Sequence, residues 1–205
     1  MPAKNSVKIY LENGYYHIYN RGTGKNEIFI DPEDYKVFLH YLEKYLDPSS
    51  QHSMAKEVKL LAFCLMPNHF HLFVLQLSRN GITKLMRAVS TCYAMFFNKK
   101  YEKSGTIFQG IYKAALIESD PQFLHISRYI HLNPRSFIKD WENYPYSSYK
   151  FYVGEHKVSW LETTFVLNFF NDKNNADRIG HSSYRSFVED YALDSKGELA
   201  DLTID

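Results

Sequence analysis

The feature that most constrains the fold is a pair of β-prone runs split by a three-residue turn. Residues 57–65 form an apolar run, and residues 69–76, His-Phe-His-Leu-Phe-Val-Leu-Gln, form a second. Met66-Pro67-Asn68 between them breaks a strand and turns the chain, so the two runs read as a β-hairpin. Upstream, residues 14–20, Gly-Tyr-Tyr-His-Ile-Tyr-Asn, are aromatic and β-prone, and Arg21-Gly22 ends them. Asp31-Pro32-Glu33 then supplies an acidic cap and a first-turn proline. Val37, Phe38, Tyr41, Leu42 and Tyr45 follow at helical spacing. Residues 47–56 are polar and read as a loop. Downstream, Ile82, Leu85, Met86, Val89, Tyr93, Phe96 and Phe97 recur at intervals of 3, 4 and 7, which predicts an amphipathic helix over 81–103. A fourth strand is expected at 111–118. A helix then runs from Asp120-Pro121 to about Leu132, just before Asn133-Pro134.

The order strand, helix, strand, strand, helix, strand is a split βαβ pattern. It predicts an α+β, ferredoxin-like sandwich with an antiparallel sheet. The Tyr144-Pro145-Tyr146-Ser147-Ser148-Tyr149 region reads as irregular, and helices are expected at 160–170 and 183–192 around a polar loop at 171–182. The division this suggests is a body over 1–152 and a mainly helical C-terminal extension over 153–205. Residues 1–150 hold 19 Lys and Arg against 13 Asp and Glu, whereas residues 151–205 hold 5 against 10. A basic body favours an anionic partner, and an acidic extension either shields that surface or only aids solubility. With 45% hydrophobic and 17% aromatic residues the chain is not of the disordered class. Two cysteines, Cys64 and Cys92, cannot frame a disulfide scaffold and read as reduced residues of a cytoplasmic protein. The longest apolar run, Leu60 to Met66, is too short to span a membrane, and Met1-Pro2-Ala3-Lys4-Asn5 lacks the apolar segment of a secretory signal.

Two places can carry chemistry. On a strand, His69 and His71 point to one face and Phe70 to the other, so both imidazoles can converge on one ion. The alternative is two incidental polar residues on a solvated face. On the helix before Asn133-Pro134, Tyr129 and Asn133 are four apart and share a face, offering a nucleophile and a neutral metal ligand. His125 lies one turn earlier on that face. Read alone, Tyr129 is equally a packing aromatic, Asn133 a helix-terminal residue and His125 a core histidine.

Taken together, these motifs resemble the HUH-type single-tyrosine transposases. Tyr16-His17-Ile18-Tyr19-Asn20-Arg21-Gly22 with Ile28-Phe29 is similar to the family's opening strand. Met66-Pro67-Asn68-His69-Phe70-His71 is similar to its metal-binding hairpin, and Phe108-Gln109-Gly110-Ile111-Tyr112-Lys113 to the entry into its fourth strand. Arg128-Tyr129-Ile130-His131-Leu132-Asn133-Pro134 is similar to its nucleophile helix. The Tyr144–Tyr149 segment and the acidic extension resemble the REP-associated branch. The resemblance covers about 14–152.

It implies cleavage and rejoining of single-stranded, hairpin-forming DNA through a 5′-phosphotyrosine on Tyr129. His69, His71 and Asn133 would hold Mg²⁺ or Mn²⁺, with His125 as an auxiliary ligand or proton shuttle. Insertion-sequence relatives often carry glutamine where this chain has the shorter Asn133. A DNA surface would draw cations from Arg21, Lys25, Lys84, Arg87 and Lys113 and stacking rings from Tyr19, Tyr112 and Tyr146. Monomer and homodimer both stay open, as does cis or trans placement of Tyr129. No membrane partner is expected. The competing functions are a domesticated DNA-binding protein with little cleavage activity and a zinc hydrolase using the same histidines. A relaxase of the same superfamily is a weaker alternative.

Overall fold

The structure, a computed structural model, describes residues 10–154, 156–171 and 179–191. Its main elements are β1 (Tyr15–Arg21), α1 (Pro32–Leu46), β2 (Val58–Met66), β3 (His69–Gln76), α2 (Gly81–Lys100) and β4 (Lys113–Ile117). These are followed by α3 (Asp120–Leu132), α4 (Tyr149–Tyr152), α5 (Thr164–Asn171) and α6 (Tyr184–Glu189). The strands form one sheet in the order β2-β3-β1-β4, with every neighbouring pair antiparallel. This is the expected ferredoxin-like split βαβ arrangement.

Strand alternation sorts the sequence onto two faces. On one face Tyr16 and Ile18 of β1 and Phe70, Leu72 and Val74 of β3 pack with Phe38 and Leu42 of α1 and Leu85, Val89 and Tyr93 of α2. On the other face Phe73 and Leu75 of β3 and Cys64 and Met66 of β2 pack with Phe123, Ile126 and Ile130 of α3. Val166 and Phe170 of α5 and Tyr184, Phe187 and Val188 of α6 join that second core, so the described helices of the extension rest on α3. The polar loop expected at 171–182 and the tail beyond Tyr191 lie mostly outside the described residues.

Local chemistry explains most element ends. Asp31 caps α1, its Oδ1 accepting from the backbone N–H groups of Glu33 and Asp34, and Asp34 Oδ2 accepts in return from the Asp31 N–H. Lys100 and Tyr101, at the end of α2, donate to both carboxylates and so tie the start of one helix to the end of the other. Helix α2 stops at Lys100 rather than 103. Glu102 takes a left-handed φ of 50° and Lys103 N–H returns to the Asn98 carbonyl at 2.9 Å, a helix-ending turn that periodicity does not report. Strand β4 starts at Lys113 rather than 111 because Gly110, with φ of 71°, turns the chain away and leaves Ile111 exposed.

The segment expected to be irregular runs along the outer border of β2. Leu65 N–H donates to the Tyr146 carbonyl at 2.9 Å, Ser148 N–H to the Phe63 carbonyl at 2.9 Å, and Phe63 N–H to Ser148 Oγ at 2.8 Å. Tyr144 and Tyr152 donate their hydroxyls to the carbonyls of Leu65 and Leu61 at 2.8 and 2.6 Å. An edge strand is thereby covered.

Gly22 marks where β1 ends beside the turn that joins β2 to β3. Its N–H donates to the Asn68 carbonyl at 2.9 Å, and a Cβ there would lie 2.0 Å from the Asn26 carbonyl oxygen. Because the obstacle is backbone, Gly22→Ala is expected to cost about 2–3 kcal/mol by urea unfolding. An unchanged unfolding midpoint would refute this.

Candidate active site

The face of the sheet under α3 grades from apolar to polar along its length. In register, β1 presents Tyr15, His17, Tyr19 and Arg21 beside Leu75, Phe73, His71 and His69 of β3. Phe123 packs on Tyr15 and Phe73 at the apolar end, with ring centroids 4.8 and 5.0 Å away. Two to three turns later the same helix brings Tyr129 and Asn133 over the polar end. The Tyr129 ring stands 5.3 Å from that of His71 and 5.9 Å from that of His17, both edge to face. Asn133 keeps helical backbone angles although a proline follows it, and a short 3-10 turn, Asn133–Ser136, continues from it. Its side chain therefore stays one turn beyond Tyr129.

The hydrogen bonds fix which atoms face inward. Asn68 Nδ2 donates to the Lys25 carbonyl at 3.3 Å, which leaves Asn68 Oδ1 to accept from His69 Nδ1 at 2.6 Å. Burial pushes the His69 pKa down, and the nearby Arg21 charge pushes it further, while contact with Asn133 opposes them. The ring is therefore neutral, and with its proton on Nδ1 its Nε2 is a lone pair. Asn133 Nδ2 donates to the Tyr129 carbonyl at 3.1 Å, which turns Asn133 Oδ1 toward His69 Nε2, 3.5 Å away. Two acceptors thus face each other. His71 is fully buried. Its Nδ1 lies 2.8 Å from His17 Nε2, and among the described residues its Nε2 has no hydrogen-bond partner. Burial holds His71 well below the usual imidazole range, and His69 and His17 add to that.

Neutral imidazoles, an amide oxygen and a buried ring nitrogen left unpartnered among the described residues suit a divalent cation with mixed nitrogen and oxygen ligands. His69, His71 and Asn133 are the residues that could hold it.

Arg21 stands at the rim as the cross-strand neighbour of His69, and its Nε donates to Gln109 Oε1. Lys113 is the cross-strand neighbour of Tyr19 and belongs to the same face. Lys25 is exposed on the turn beside Asn68. Four other expected DNA contacts are not brought here. Lys84 and Arg87 lie on α2, across the sheet from the site, and Lys84 pairs with Glu57. Tyr112 packs toward that same far core, its hydroxyl bonded to that of Tyr10 at 2.6 Å. Tyr146 stacks on Tyr35 at 3.8 Å and is part of the scaffold.

His125 borders a cavity of about 260 Å³ with Tyr129, Asn133, Arg128 and Tyr191. Its Nδ1 accepts from Arg128, whose guanidinium lies between the rings of Phe187 and Tyr191. The residue missed in the sequence is His17. The signal was present, since His17 alternates with Tyr19 and Arg21 on one strand face, but only the register sets it beside His71.

No curated protein matches this chain. A solved REP-associated tyrosine transposase bound to a REP hairpin is 16% identical, with a TM-score of 0.57, covering 75% of this chain and 88% of that one. It shares the fold. A solved candidate transposase from Deinococcus radiodurans R1 is also 16% identical, with a TM-score of 0.41, covering 61% and 94%. Residues 11–133 match the family model described as IS200-like transposase, a span from just before β1 to Asn133 itself. That span is more than half of the chain, and the protein belongs to the IS200-like transposase family.

Proposed function

We propose that this chain is a transposase of the REP-associated branch that cleaves and rejoins single-stranded DNA at hairpin-forming ends, with Tyr129 as nucleophile. The observation that carries the reading is the convergence of His69, His71, Asn133 and Tyr129 beneath one helix end. The fold shared with a hairpin-bound REP-associated transposase supports the branch.

In this reading the Tyr129 hydroxyl attacks the scissile phosphorus in line. The new bond joins the phenol oxygen to phosphorus, and the bond to the 3′ oxygen breaks. The products are a 5′-phosphotyrosine and a 3′-OH that can later reverse the step, so strands are rejoined without a nucleotide cofactor. His69 and His71, held neutral by burial, and Asn133 Oδ1 would bind Mg²⁺ or Mn²⁺. Such an ion neutralises charge on the phosphate and orients it. Arg21 adds a cation at the rim, and Tyr19 and Lys113 extend the surface along the strands. Within the chain Tyr129 stands over His71 and His17, which favours a cis arrangement in this reading. In this reading residues 1–152 are the catalytic domain and 153–205 the extension, whose described helices α5 and α6 pack against α3. In this reading the protein acts on DNA in the cytoplasm.

The test is a denaturing gel of protein mixed with labelled single-stranded hairpins taken from the sequence flanking its own gene. A covalent adduct that forms with Mn²⁺ or Mg²⁺ and vanishes with EDTA is the expected result. Cleavage without an adduct would replace this reading with a hydrolase. Binding without cleavage would replace it with a DNA-binding protein.

A further inference from the structure

We propose that His17 is a positioning residue for the candidate metal centre. It accepts the Nδ1 proton of His71 and so keeps the Nε2 lone pair of His71 aimed at the space shared with His69 and Asn133. The inference rests on the metal reading given above and assigns a role to a residue outside the ligand set.

Geometry excludes His17 as a further ligand beside His71 Nε2. Its Nε2 is 2.8 Å from His71 Nδ1, and the two nitrogens of one imidazole direct their bonding axes apart. An N···N contact of that length holds one proton. If His17 donated it, neutral His71 would carry its own proton on Nε2. That N–H would then be buried with no acceptor in hydrogen-bonding geometry among the described residues, Asn133 being near but not aligned to receive it. With the proton on His71 Nδ1 the orphaned atom is a lone pair, the form that a cation binds. Both rings are fully buried, so water does not offer a substitute acceptor.

The pleat explains why His17 can reach. Tyr19 is the direct cross-strand partner of His71, and His17 is two residues away on the same face, within diagonal range. The rings lie edge to edge, with centroids 5.0 Å apart and planes 20° from parallel, which brings an Nε2 to an Nδ1. Asn68 performs the same task for His69 from the adjacent position in the turn. Each candidate histidine ligand thus has its own acceptor on the nitrogen away from the site, the arrangement that fixes tautomer and orientation in metal centres.

The test compares His17→Phe, which keeps a ring but no acceptor, with His17→Gln, whose amide oxygen reaches about as far as Nε2. Mn²⁺ affinity is read by electron paramagnetic resonance of the free ion, the His71 tautomer by ¹⁵N NMR without metal, and folding by thermal melting. His17→Phe is expected to weaken Mn²⁺ binding about 10- to 100-fold. His17→Gln is expected to stay within about threefold of the parent protein, with the His71 proton on Nδ1 in both.

Mn²⁺ binding by His17→Phe within that threefold range would overturn the role, as would a parent His71 protonated on Nε2. If His17→Phe does not fold, His17→Gln decides, because a large loss of affinity in a folded His17→Gln would refute an acceptor role. A parent protein that binds no Mn²⁺ would overturn the metal reading itself and this inference with it. Unchanged binding in His17→Phe would overturn this inference alone.

Discussion

Tyr129→Phe is expected to lower DNA strand cleavage by about 10⁴-fold or more and to eliminate the covalent adduct, because it removes the only atom proposed to form the bond to phosphorus. In activation terms this is roughly 5.5 kcal/mol or more, each tenfold being about 1.4 kcal/mol. Tyr129 is half-buried, and phenylalanine retains the ring that stands edge to face against His71 and His17. Hairpin binding and Mn²⁺ binding should therefore persist. Single-turnover cleavage beside a binding titration on the same preparation checks the prediction. Cleavage within tenfold of the parent protein, at equal binding, would remove Tyr129 from the mechanism and return the hydrolase reading.

Acid is expected to begin destabilising the protein before its carboxylates protonate. His131, on α3, is fully buried, with Nδ1 against the Tyr184 hydroxyl at 2.6 Å and Nε2 against Ser148 Oγ at 2.7 Å. Burial pushes its pKa down to about 3. The unfolded chain takes up this proton near pH 6.5, whereas the folded chain refuses it until about pH 3, so stability is complete above 6.5 and falls as pH drops through that window. Over two pH units below 6.5 the loss from His131 alone is about 2.7 kcal/mol. His71 and His69 are depressed in the same direction and add to it. Urea unfolding at pH 7.5, 5.5 and 4.5 should show this decline. His131→Gln, which cannot titrate, should start less stable but decline less steeply. Identical slopes for the two proteins would refute the assignment.

The fold was legible because its signals are local. The turn at Met66-Pro67-Asn68, the cap at Asp31 and the helical spacing in α2 each report a nearby backbone state. The strand order follows from the element order by general rules of connection. Much of the site was legible for the same reason, since His69 and His71 share a strand face and Tyr129 and Asn133 share a helix face whatever else the chain does. What could not be read was lateral. His17 meets His71 only through the β1–β3 register. Lys84 and Arg87 looked like DNA contacts because charge carries no sign of which side of a sheet its helix will cover. Tyr112 and Tyr146 looked like stacking rings because a tyrosine does not reveal in sequence whether its face is already occupied. His131, eclipsed in sequence by the motif around it, holds α3, α6 and the border segment of β2 together.

That border segment has a consequence for assembly. Residues 144–149 already use the outward N–H of Leu65 and Phe63 and the Phe63 carbonyl. A second copy therefore cannot join its sheet to this one along that part of β2 unless the segment first peels away. Because Ser148 and His131 share a hydrogen bond, peeling would also loosen α3, the helix that carries Tyr129. Polymerisation through this strand is thus coupled to loosening of the candidate site, which disfavours edge-to-edge aggregation of the folded protein on that side.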